Sequence, residues 1–306
     1  MEHIPVLLNE AIEALNIKED GVYIDCTLGG GGHSEAILSR LKNGHLYAFD
    51  QDDYAIAQAT ERLKPYIAKL TIIRDNFVNI IARLKALNIT EVDGILFDLG
   101  VSSYHFDDPS RGFSYNHEAP LDMRMDQTRS LTAKGIVNTY DERDIKMLLY
   151  RYADETMAPR IAKAIVQARA VKSIETTFEL VDIIKRALPQ KVLSKKGHPA
   201  KKTFQALRIA VNDELRVFED ALQDALTLLK KDGRIAVISF HSLEDRIAKH
   251  IFKEATSIDH PIEIVTMPTV TPDFALVHKG IVRPSDEECI RNNRAHSAKL
   301  RAIKKL

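Results

Sequence analysis

Four consecutive glycines follow a short apolar run near the start of the chain, and no other feature restricts the fold as strongly. The apolar run is Val22–Cys26, the glycines are Gly29–Gly32, and helical spacing resumes at Ser34. Only glycine lets a backbone take left-handed conformations without strain and approach a ligand closely. Because the helix that follows presents free N–H groups at its first turn, the segment predicts a nucleotide-type cofactor site at the carboxyl edge of a sheet.

Strand-like and helix-like segments alternate over the first hundred residues. The strand-like segments are Val22–Cys26, His45–Asp50, Leu70–Arg74 and Gly94–Asp98. Helical spacing lies between them, over Ser34–Leu41, Asp53–Leu63 and Val78–Leu87. An alternation of this kind predicts a parallel sheet with helices on both of its faces.

The alternation stops between residues 106 and 200, where no convincing strand is found. Helical patterns take its place, at Thr132–Asn138, Glu142–Tyr150, Pro159–Arg169 and Phe178–Leu188. We therefore predict a helical domain of residues 106–200 inserted into an α/β domain that comprises residues 1–105 and 201–306. The second half of that domain holds an amphipathic stretch at Thr203–Leu229, a helix at Leu243–Ala255, and strands at Arg234–Phe240, Ile262–Met267 and Ala298–Ile303, the last of them at an edge.

The charge and cysteine content narrow the class of protein. The 306 residues carry 43 basic and 43 acidic side chains, so any nucleic-acid surface must come from local clustering rather than from the summed charge. The two cysteines, Cys26 and Cys289, make neither a disulfide framework nor a zinc site, and we predict no metal site. The N-terminal residues lack the pattern of a signal peptide, and no apolar run is long enough to span a bilayer. We therefore expect a cytoplasmic protein.

An acidic residue that binds a ribose is expected about 20 residues beyond a glycine loop of this kind, and Asp50 stands there at the end of the second strand. The alternative is a tight turn in which Asp50 only caps a helix. NAD is a competing ligand, but the dinucleotide fingerprint is incomplete because its sixth position holds Ser34. Phe77, after the third strand, either packs on an adenine face or belongs to the core.

Several long motifs follow in order along the rest of the chain. They are Asp93–Ser103, Arg111–Ser114, Leu121–Asp126, His198–Ala200, Thr203–Asn212 and Ile238–Arg246. From His3–Leu7 to Ser297–Arg301, the chain closely resembles the RsmH (MraW) family of bacterial 16S rRNA cytosine-N(4) methyltransferases. The resemblance implies a class I methyltransferase fold with a Rossmann-like sheet and a helical insertion after the fourth strand.

The resemblance also implies an activity and its partners. The cofactor would be S-adenosyl-L-methionine, and the reaction would methylate the exocyclic N(4) amine of one cytidine in the decoding region, at the P site, of 16S rRNA. The implied partner is 16S rRNA within the small ribosomal subunit, with no membrane involved. The oligomeric state is left open, and a homodimer is one alternative.

The resemblance assigns the cofactor-binding residues position by position. Carried onto this sequence, they are Gly31, Gly32, His33, Asp50, Phe77 and Asp98. One position departs from the family pattern, because His105 stands where the family usually has a glutamine. Histidine can still donate or accept a hydrogen bond, so we expect His105 to contact the cofactor as well.

Asp98 is also our candidate catalytic residue. The exocyclic amine of cytosine is a poor nucleophile because its lone pair is delocalised into the ring. A hydrogen-bond acceptor beside its N–H groups would orient the amine and stabilise the positive charge that develops on it. Because Asp98 ends the fourth strand, at the edge where cofactors bind, a role in cofactor binding alone is an equal alternative.

Two other motifs carry groups that could contact the substrate. Asp122, Arg124 and Asp126 either line the substrate pocket or form a structural ion network. The segment His241–Arg246 is expected to position the substrate, and capping of a helix by Ser242 is the alternative.

Two basic runs predict contacts to RNA phosphates. Lys191–Lys202 contains five lysines, and Arg291–Leu306 contains six basic residues. Neither run contains an acid. Phosphate contacts dominate nucleic-acid affinity, although runs of like charge are usually only solvated surface.

Three other classes of protein fit parts of this sequence. An NAD-dependent oxidoreductase would bind NAD rather than S-adenosyl-L-methionine. A non-catalytic RNA-binding assembly factor would transfer no methyl group to small subunits. A DNA amino-methyltransferase would accept duplex DNA.

Overall fold

The computed structural model describes residues 5–100, 109–257 and 271–306. Its contacts divide the chain into two compact units. The first comprises residues 1–101 and 215–306, and the second comprises residues 102–214. The chain therefore begins one unit, builds the second, and then returns to complete the first.

A seven-stranded sheet lies in the first unit, as far as the described residues extend. Its strands are β1 (Val22–Asp25), β2 (His45–Asp50), β3 (Leu70–Arg74), β4 (Val92–Asp98), β5 (Leu229–Ser239), β6 (Phe274–Leu276) and β7 (Lys299–Lys305). They lie in the order β3-β2-β1-β4-β5-β7-β6. β1 to β5 are parallel, whereas β7 runs antiparallel to both β5 and β6. The α/β fold with a Rossmann-like sheet is confirmed.

The strand order creates a crevice of the type at which such sheets bind ligands. The chain runs outward from β1 through β2 to β3, and then crosses back to place β4 on the other side of β1. Ligands bind outside the carboxyl ends of the strands at a reversal of this kind. The segments that follow β1 and β4 therefore start where a cofactor is expected.

The helices of the first unit pack on both faces of the sheet. They are α1 (Leu8–Leu15), α2 (Gly32–Leu38), α3 (Asp53–Arg62), α4 (Ile80–Ala86), α11 (Glu214–Thr227), α12 (Ser242–Thr256) and α13 (Asp286–Arg291). Successive residues of a strand point to opposite faces. Leu96 of β4 therefore packs into the core that includes α1 and α2, whereas Ile95 and Phe97 pack into the core that includes α4, α11 and α12.

The second unit is helical. Its helices are α5 (Ala133–Thr139), α6 (Glu142–Ala153), α7 (Ala158–Val171), α8 (Thr177–Ala187), α9 (Gln190–Leu193) and α10 (Lys201–Asn212). α6 packs against both α7 and α10, and α7 packs against α8. Over residues 109–214 there is no strand, only an isolated bridge between Pro120 and Thr176. The four helices predicted here are confirmed, with small shifts at their ends.

Three elements differ from the sequence-based expectation. The amphipathic stretch Thr203–Leu229 is divided into α10 and α11, because Asp213 adopts a left-handed conformation with φ of 56°. The strand expected at Ala298–Ile303 is not at an edge, since β7 pairs with β5 on one side and β6 on the other. α1 was not predicted at all.

One predicted strand and the possibility of a membrane-spanning helix are still to be compared with the structure. The strand predicted at Ile262–Met267 lies outside the described residues. Among the helices that the structure describes, none is both long and apolar enough to cross a membrane.

A reciprocal capping box begins α8. The hydroxyl oxygen of Thr176 accepts the N–H of Glu179 at 3.2 Å, and Oε2 of Glu179 accepts the N–H of Thr176 at 3.1 Å. Each side chain thus satisfies a backbone donor that the helix itself leaves unpaired.

Replacing Thr176 with alanine is expected to lower the free energy of unfolding by about 1 kcal/mol, because the N–H of Glu179 loses its acceptor. Urea unfolding followed by circular dichroism measures this change. Thr176→Ser keeps the hydroxyl and is the matched control, so it should cost clearly less. An equal loss in both variants would show that the hydroxyl does not cap the helix.

Candidate functional site

The glycine loop between β1 and α2 has a conformation that other residues would adopt only with strain. Gly29 and Gly31 have φ of 48° and 75°, and Gly31 occupies the N-cap of α2. A Cβ atom on Gly32 would lie 2.3 Å from Cγ of Pro5, which is too close for any side chain. Gly31 and Gly32, both predicted to bind the cofactor, therefore allow the tight turn that starts α2.

Asp50 lies at the carboxyl end of β2 and contacts this loop. Its Oδ2 accepts the N–H of Gly29 at 2.9 Å, and its Oδ1 accepts the N–H of Asp52 at 2.9 Å. The cap of α3 is Asp52, whose side chain accepts the N–H groups of Tyr54 and Ala55. The alternative in which Asp50 only caps that helix is therefore wrong, and Asp50 is an acid held against the glycine loop.

A buried carboxylate that the sequence analysis did not single out organises the start of the loop. Asp25, the last residue of β1, is fully buried. Its oxygens accept the N–H of Thr27 at 3.0 Å and the hydroxyl proton of Ser34 at 2.7 Å. Burial raises the pKa of Asp25, while the hydrogen bond from Ser34, the charge of His33 and the hydrogen bond from Thr27 oppose that rise. The available sequence signal was an acid close before a glycine loop.

His33, in the first turn of α2, connects the N-terminal segment to the end of β4. Its Nε2 lies 3.1 Å from the carbonyl oxygen of Val6, and its Nδ1 lies 3.3 Å from Oδ2 of Asp98. Because a carbonyl and a carboxylate can only accept, each ring nitrogen must carry a proton to bond them. The geometry therefore favours a positively charged imidazolium, in a side chain only 6% exposed.

The surroundings of His33 agree with that charge. Burial alone would lower the pKa of His33, because it disfavours the charged form. The hydrogen bond to Asp98 and the negative charges of Asp98 and Asp25 act in the opposite direction, and the pKa is raised above its ordinary value.

Asp98 ends β4 with one carboxylate oxygen bonded and the other without a donor. Its backbone N–H donates to the hydroxyl of Thr27 at 2.7 Å, and its Oδ2 faces His33. Its Oδ1 is buried and has no hydrogen-bond partner among the described residues. A buried acceptor without a donor costs about 1–3 kcal/mol, so an N–H or O–H group of a ligand at this point would be favourable.

Phe77 lies in a short 3-10 turn after β3 and is half-buried. Its ring meets that of Phe97 edge to face, with centroids 5.7 Å apart. Asn76 caps the turn through the N–H of Val78, and its amide donates to Oε1 of Gln51 at 3.1 Å. Phe77 therefore packs partly into the core, as one of the two alternatives expected. Because the residue is only half-buried, stacking on an adenine face stays open as well.

The structure brings most of the predicted cofactor-binding residues together. Gly31, Gly32 and His33 begin α2. Asp50 contacts the preceding loop from the end of β2, and Asp98 contacts His33 from the end of β4. His105 lies outside the described residues. The arrangement joins a glycine turn, an acid at a strand end and a buried acceptor at the carboxyl edge of the sheet.

The profile of the MraW methylase family matches residues 1–306, which is the whole chain. The chain belongs to the MraW methylase family. The predicted resemblance is thus confirmed, and membership in a methylase family makes the protein a methyltransferase. It also agrees with the S-adenosyl-L-methionine cofactor expected from the sequence.

Individual relatives are similar over nearly the whole length. A protein named "Ribosomal RNA small subunit methyltransferase H" from Streptococcus dysgalactiae subsp. equisimilis is 54% identical, covering 99% of this chain and 98% of that protein. Its namesake from Streptococcus equi subsp. equi (strain 4047) is 53% identical with the same coverage. A solved structure of a putative rRNA-methylase from Clostridium thermocellum has a TM-score of 0.47 at 15% identity, covering 100% of both chains. The family membership follows from the sequence matches.

The segment after β5 caps a helix of the methylase. The N-cap of α12 is His241, not Ser242, and Glu244 completes a capping box by accepting the N–H groups of Phe240 and His241. The segment thus does cap a helix, as the alternative expected, but through His241 rather than Ser242. Substrate positioning by the segment stays a prediction.

The C-terminal basic run is largely paired within its own unit. Lys299 and Arg301 donate to Asp245 at 2.9 and 2.7 Å. Lys304 pairs with Asp232 at 2.6 Å, and the ammonium of Lys305 donates to a backbone carbonyl. These four cations stabilise the first unit, so the prediction that the run contacts phosphates finds no support from them.

Within the second unit, the motif of alternating charges is structural. Arg124 donates to both carboxylate oxygens of Asp122, at 2.8 and 2.7 Å, and Asp126 accepts the N–H and hydroxyl of Thr128. Although burial would raise the pKa of Asp122, its hydrogen bonds with Arg124 hold it below the ordinary value. The ion-network interpretation of this motif is therefore supported over the pocket-lining one.

The lysines of the run Lys191–Lys202 are exposed. Only Lys202 makes a side-chain hydrogen bond to another described residue, the carbonyl oxygen of Asp154 at 2.8 Å. Gly197, in the middle of the run, has φ of 105° and open space around it. The run keeps the exposed positive charge that contacts with phosphates require.

The pH dependence of stability tests the charged state of His33. Because its pKa is raised in the folded protein, His33 stabilises the fold fully below its unfolded pKa, and this contribution is lost as the pH rises through the folded value. The difference in free energy of unfolding between the protein and its His33→Gln variant should therefore be larger at about pH 6 than at about pH 9. Urea unfolding at each pH measures it.

The control for this experiment is His250→Gln on α12. His250 and Glu254 form an exposed pair at 3.4 Å, and exposed ion pairs contribute little, so the control difference should change little with pH. A His33 difference that is flat, or that grows with pH, would contradict the imidazolium.

Proposed function

We propose that the protein transfers the methyl group of S-adenosyl-L-methionine to the exocyclic N(4) amine of one cytidine in the decoding region, at the P site, of 16S rRNA. The names of its relatives support ribosomal RNA of the small subunit as the substrate class. The observation that carries the chemistry is the buried Oδ1 of Asp98, which has no donor among the described residues. The cytoplasmic location and the small-subunit setting belong to the same proposal.

The residues at the sheet edge fit this cofactor. The turn at Gly31 and Gly32 brings backbone close to the crevice, and Asp50 supplies an acid of the kind that binds ribose hydroxyls. The exposed part of Phe77 suits an adenine face. When bound, the cofactor supplies an electrophilic methyl group. We retain His105 as a contact on the family resemblance.

Asp98 acts on the amine that is methylated. An N–H of the cytosine amine donates to Oδ1 of Asp98, which orients the nitrogen so that its lone pair faces the methyl carbon. Methyl transfer from the bound cofactor would place positive charge on this nitrogen, and the carboxylate of Asp98 would stabilise that charge. The nitrogen then releases its proton to Oδ1.

His33 keeps Asp98 in place for this role. Its Nδ1 lies 3.3 Å from Oδ2, so this oxygen is engaged while Oδ1 faces the substrate. In the alternative role, Asp98 serves cofactor binding alone, and its Oδ1 contacts the cofactor instead of the amine. The two roles differ in whether the loss of Asp98 changes the rate or the affinity.

The inserted helical domain, residues 106–200 in the sequence-based division, is assigned to substrate recognition. Its run of exposed lysines supports this assignment. Family membership removes the NAD-dependent oxidoreductase from the alternatives. The non-catalytic assembly factor and the DNA amino-methyltransferase are separated by the experiments below.

Asp98→Asn should slow single-turnover methyl transfer by about 100-fold or more, because the amide lacks the charge that stabilises the amine. The dissociation constant of the cofactor, measured by calorimetry, should change only a few-fold. Asp53→Asn, an exposed acid on α3, is the control and should keep the wild-type rate. If affinity falls while the rate at saturating cofactor and RNA persists, Asp98 serves binding alone. If neither changes, both roles are excluded.

The substrate is tested with small ribosomal subunits from a strain that lacks the gene. Labelled methyl groups should enter 16S rRNA, and mass spectrometry of rRNA fragments should place one added methyl on a cytidine of the decoding region. Subunits from the parent strain, which already carry the modification, are the control and should accept little label. The absence of label, or transfer to duplex DNA instead, would refute the proposal.

A further inference from the structure

An open groove between α7 and α8 of the second unit carries three cations and no acid. Arg160 and Lys163 line it from α7, and Arg186 lines it from α8. Half-buried apolar residues form its floor, namely Ala164, Ala168, Ile183 and Ala187. The groove encloses about 410 Å³, which is within the size range of ligand sites.

The spacing along the helices explains why these side chains share one groove. Residues three, four, seven and eight apart lie on one helix face, so Arg160, Lys163, Ala164 and Gln167 form one stripe of α7. Arg186 lies three residues after Ile183 and is the matching cation of α8. The cations thus occupy the rim on both sides, above an apolar floor.

The three cations are exposed, and none has a side-chain hydrogen bond or ion pair with another residue in the described part of the chain. Other cations of the unit are paired, such as Lys134 with Glu175 and Lys172 with Glu179. Like charges held around one groove repel each other, and a bound polyanion would reverse that cost.

We propose that this groove binds the phosphate backbone of the RNA substrate, an inference that rests on the function proposed above. The rim supplies charge for phosphates, and the three alanines of the floor let a sugar-phosphate chain approach closely. No aromatic residue lines the groove, so there is no platform for stacked bases. The contact is therefore independent of base sequence.

The same basic surface continues along the chain. Lys185 adjoins Arg186 and is near enough to His198 that its charge, after burial, contributes to lowering the pKa of that histidine. α9 begins soon after α8 ends, and Lys191 within it is exposed. The groove and the lysine run therefore lie close in sequence and carry the same charge.

The test uses the full chain and a labelled fragment of small-subunit rRNA, with affinity measured by fluorescence anisotropy over a range of salt. The triple variant Arg160→Gln, Lys163→Gln, Arg186→Gln should bind about tenfold more weakly at low salt. The slope of log affinity against log salt should fall by about 2, the value for three lost phosphate contacts on a single strand. In methyl transfer, KM for RNA should rise while the rate at saturating RNA is kept.

The matched control removes the same charge elsewhere on the unit. Arg143→Gln, Lys146→Gln, Arg151→Gln changes three cations of α6, of which Arg143 and Arg151 are exposed and Lys146 is half-buried, and should leave both affinity and slope near wild type. Ala164→Glu is a second test, because it places a negative charge in the floor while glutamate keeps the helix. It should weaken RNA binding as well, with cofactor affinity unchanged.

The outcomes separate this inference from the proposed function. If wild type binds and methylates the RNA but the groove variants do so equally well, the groove proposal alone fails. Equal losses in the α6 control would also overturn it, since only net charge would then matter. Losses seen with intact subunits but not with naked rRNA would identify an acidic protein as the occupant and overturn it too. If wild type neither binds nor methylates rRNA, the proposed function fails first.

Discussion

The buried contact between His33 and Asp98 is the interaction on which the site depends. Placing a charged imidazole and a carboxylate in the interior is costly unless each is paired. Here each provides what the other needs, because the ring donates toward Oδ2 and the carboxylate holds the ring charged. The pair also connects the glycine turn of α2 to the end of β4, so the groups that we propose bind the cofactor and the acceptor are fixed relative to each other.

The sheet explains why that geometry is rigid. β1 lies between β2 and β4, so the three strand ends that carry Asp25, Asp50 and Asp98 are neighbours in the sheet. Asp25 and Thr27 link the loop to these strands through hydrogen bonds of 3.0 and 2.7 Å. A side chain supported in this way can be held closely to the position that group transfer requires.

Much of this arrangement could be predicted from the sequence, because its signals are local. β2 and β3 have the bounds that were expected, since each is a short, largely apolar run that ends at a charged residue. Gly31 and Asp50 were expected to share one site because a glycine turn and an acid at a fixed spacing carry a physical meaning. The break between α10 and α11 at Asp213 was not predicted, because an aspartate in the left-handed conformation cannot be recognised from the sequence as readily as a glycine.

Partners distant in sequence could not be inferred at all. The charge of Lys299 and Arg301 suggested a phosphate surface, yet both are paired with Asp245, more than fifty residues away. Conversely, the groove of α7 and α8 joins cations that no single basic run contains. Charge counted along a chain does not show which charges remain exposed after folding.

The acceptor for Nε2 of His33 belongs to the main chain, at the carbonyl of Val6. Exchanging the side chain at position 6 cannot delete this oxygen, whereas a side-chain partner would vanish in one step. The position of this acceptor is therefore set by the path of the backbone before α1, and a substitution at position 6 that preserves this path leaves the acceptor in place. Homologues could accordingly differ at position 6 and still share the same ionised histidine.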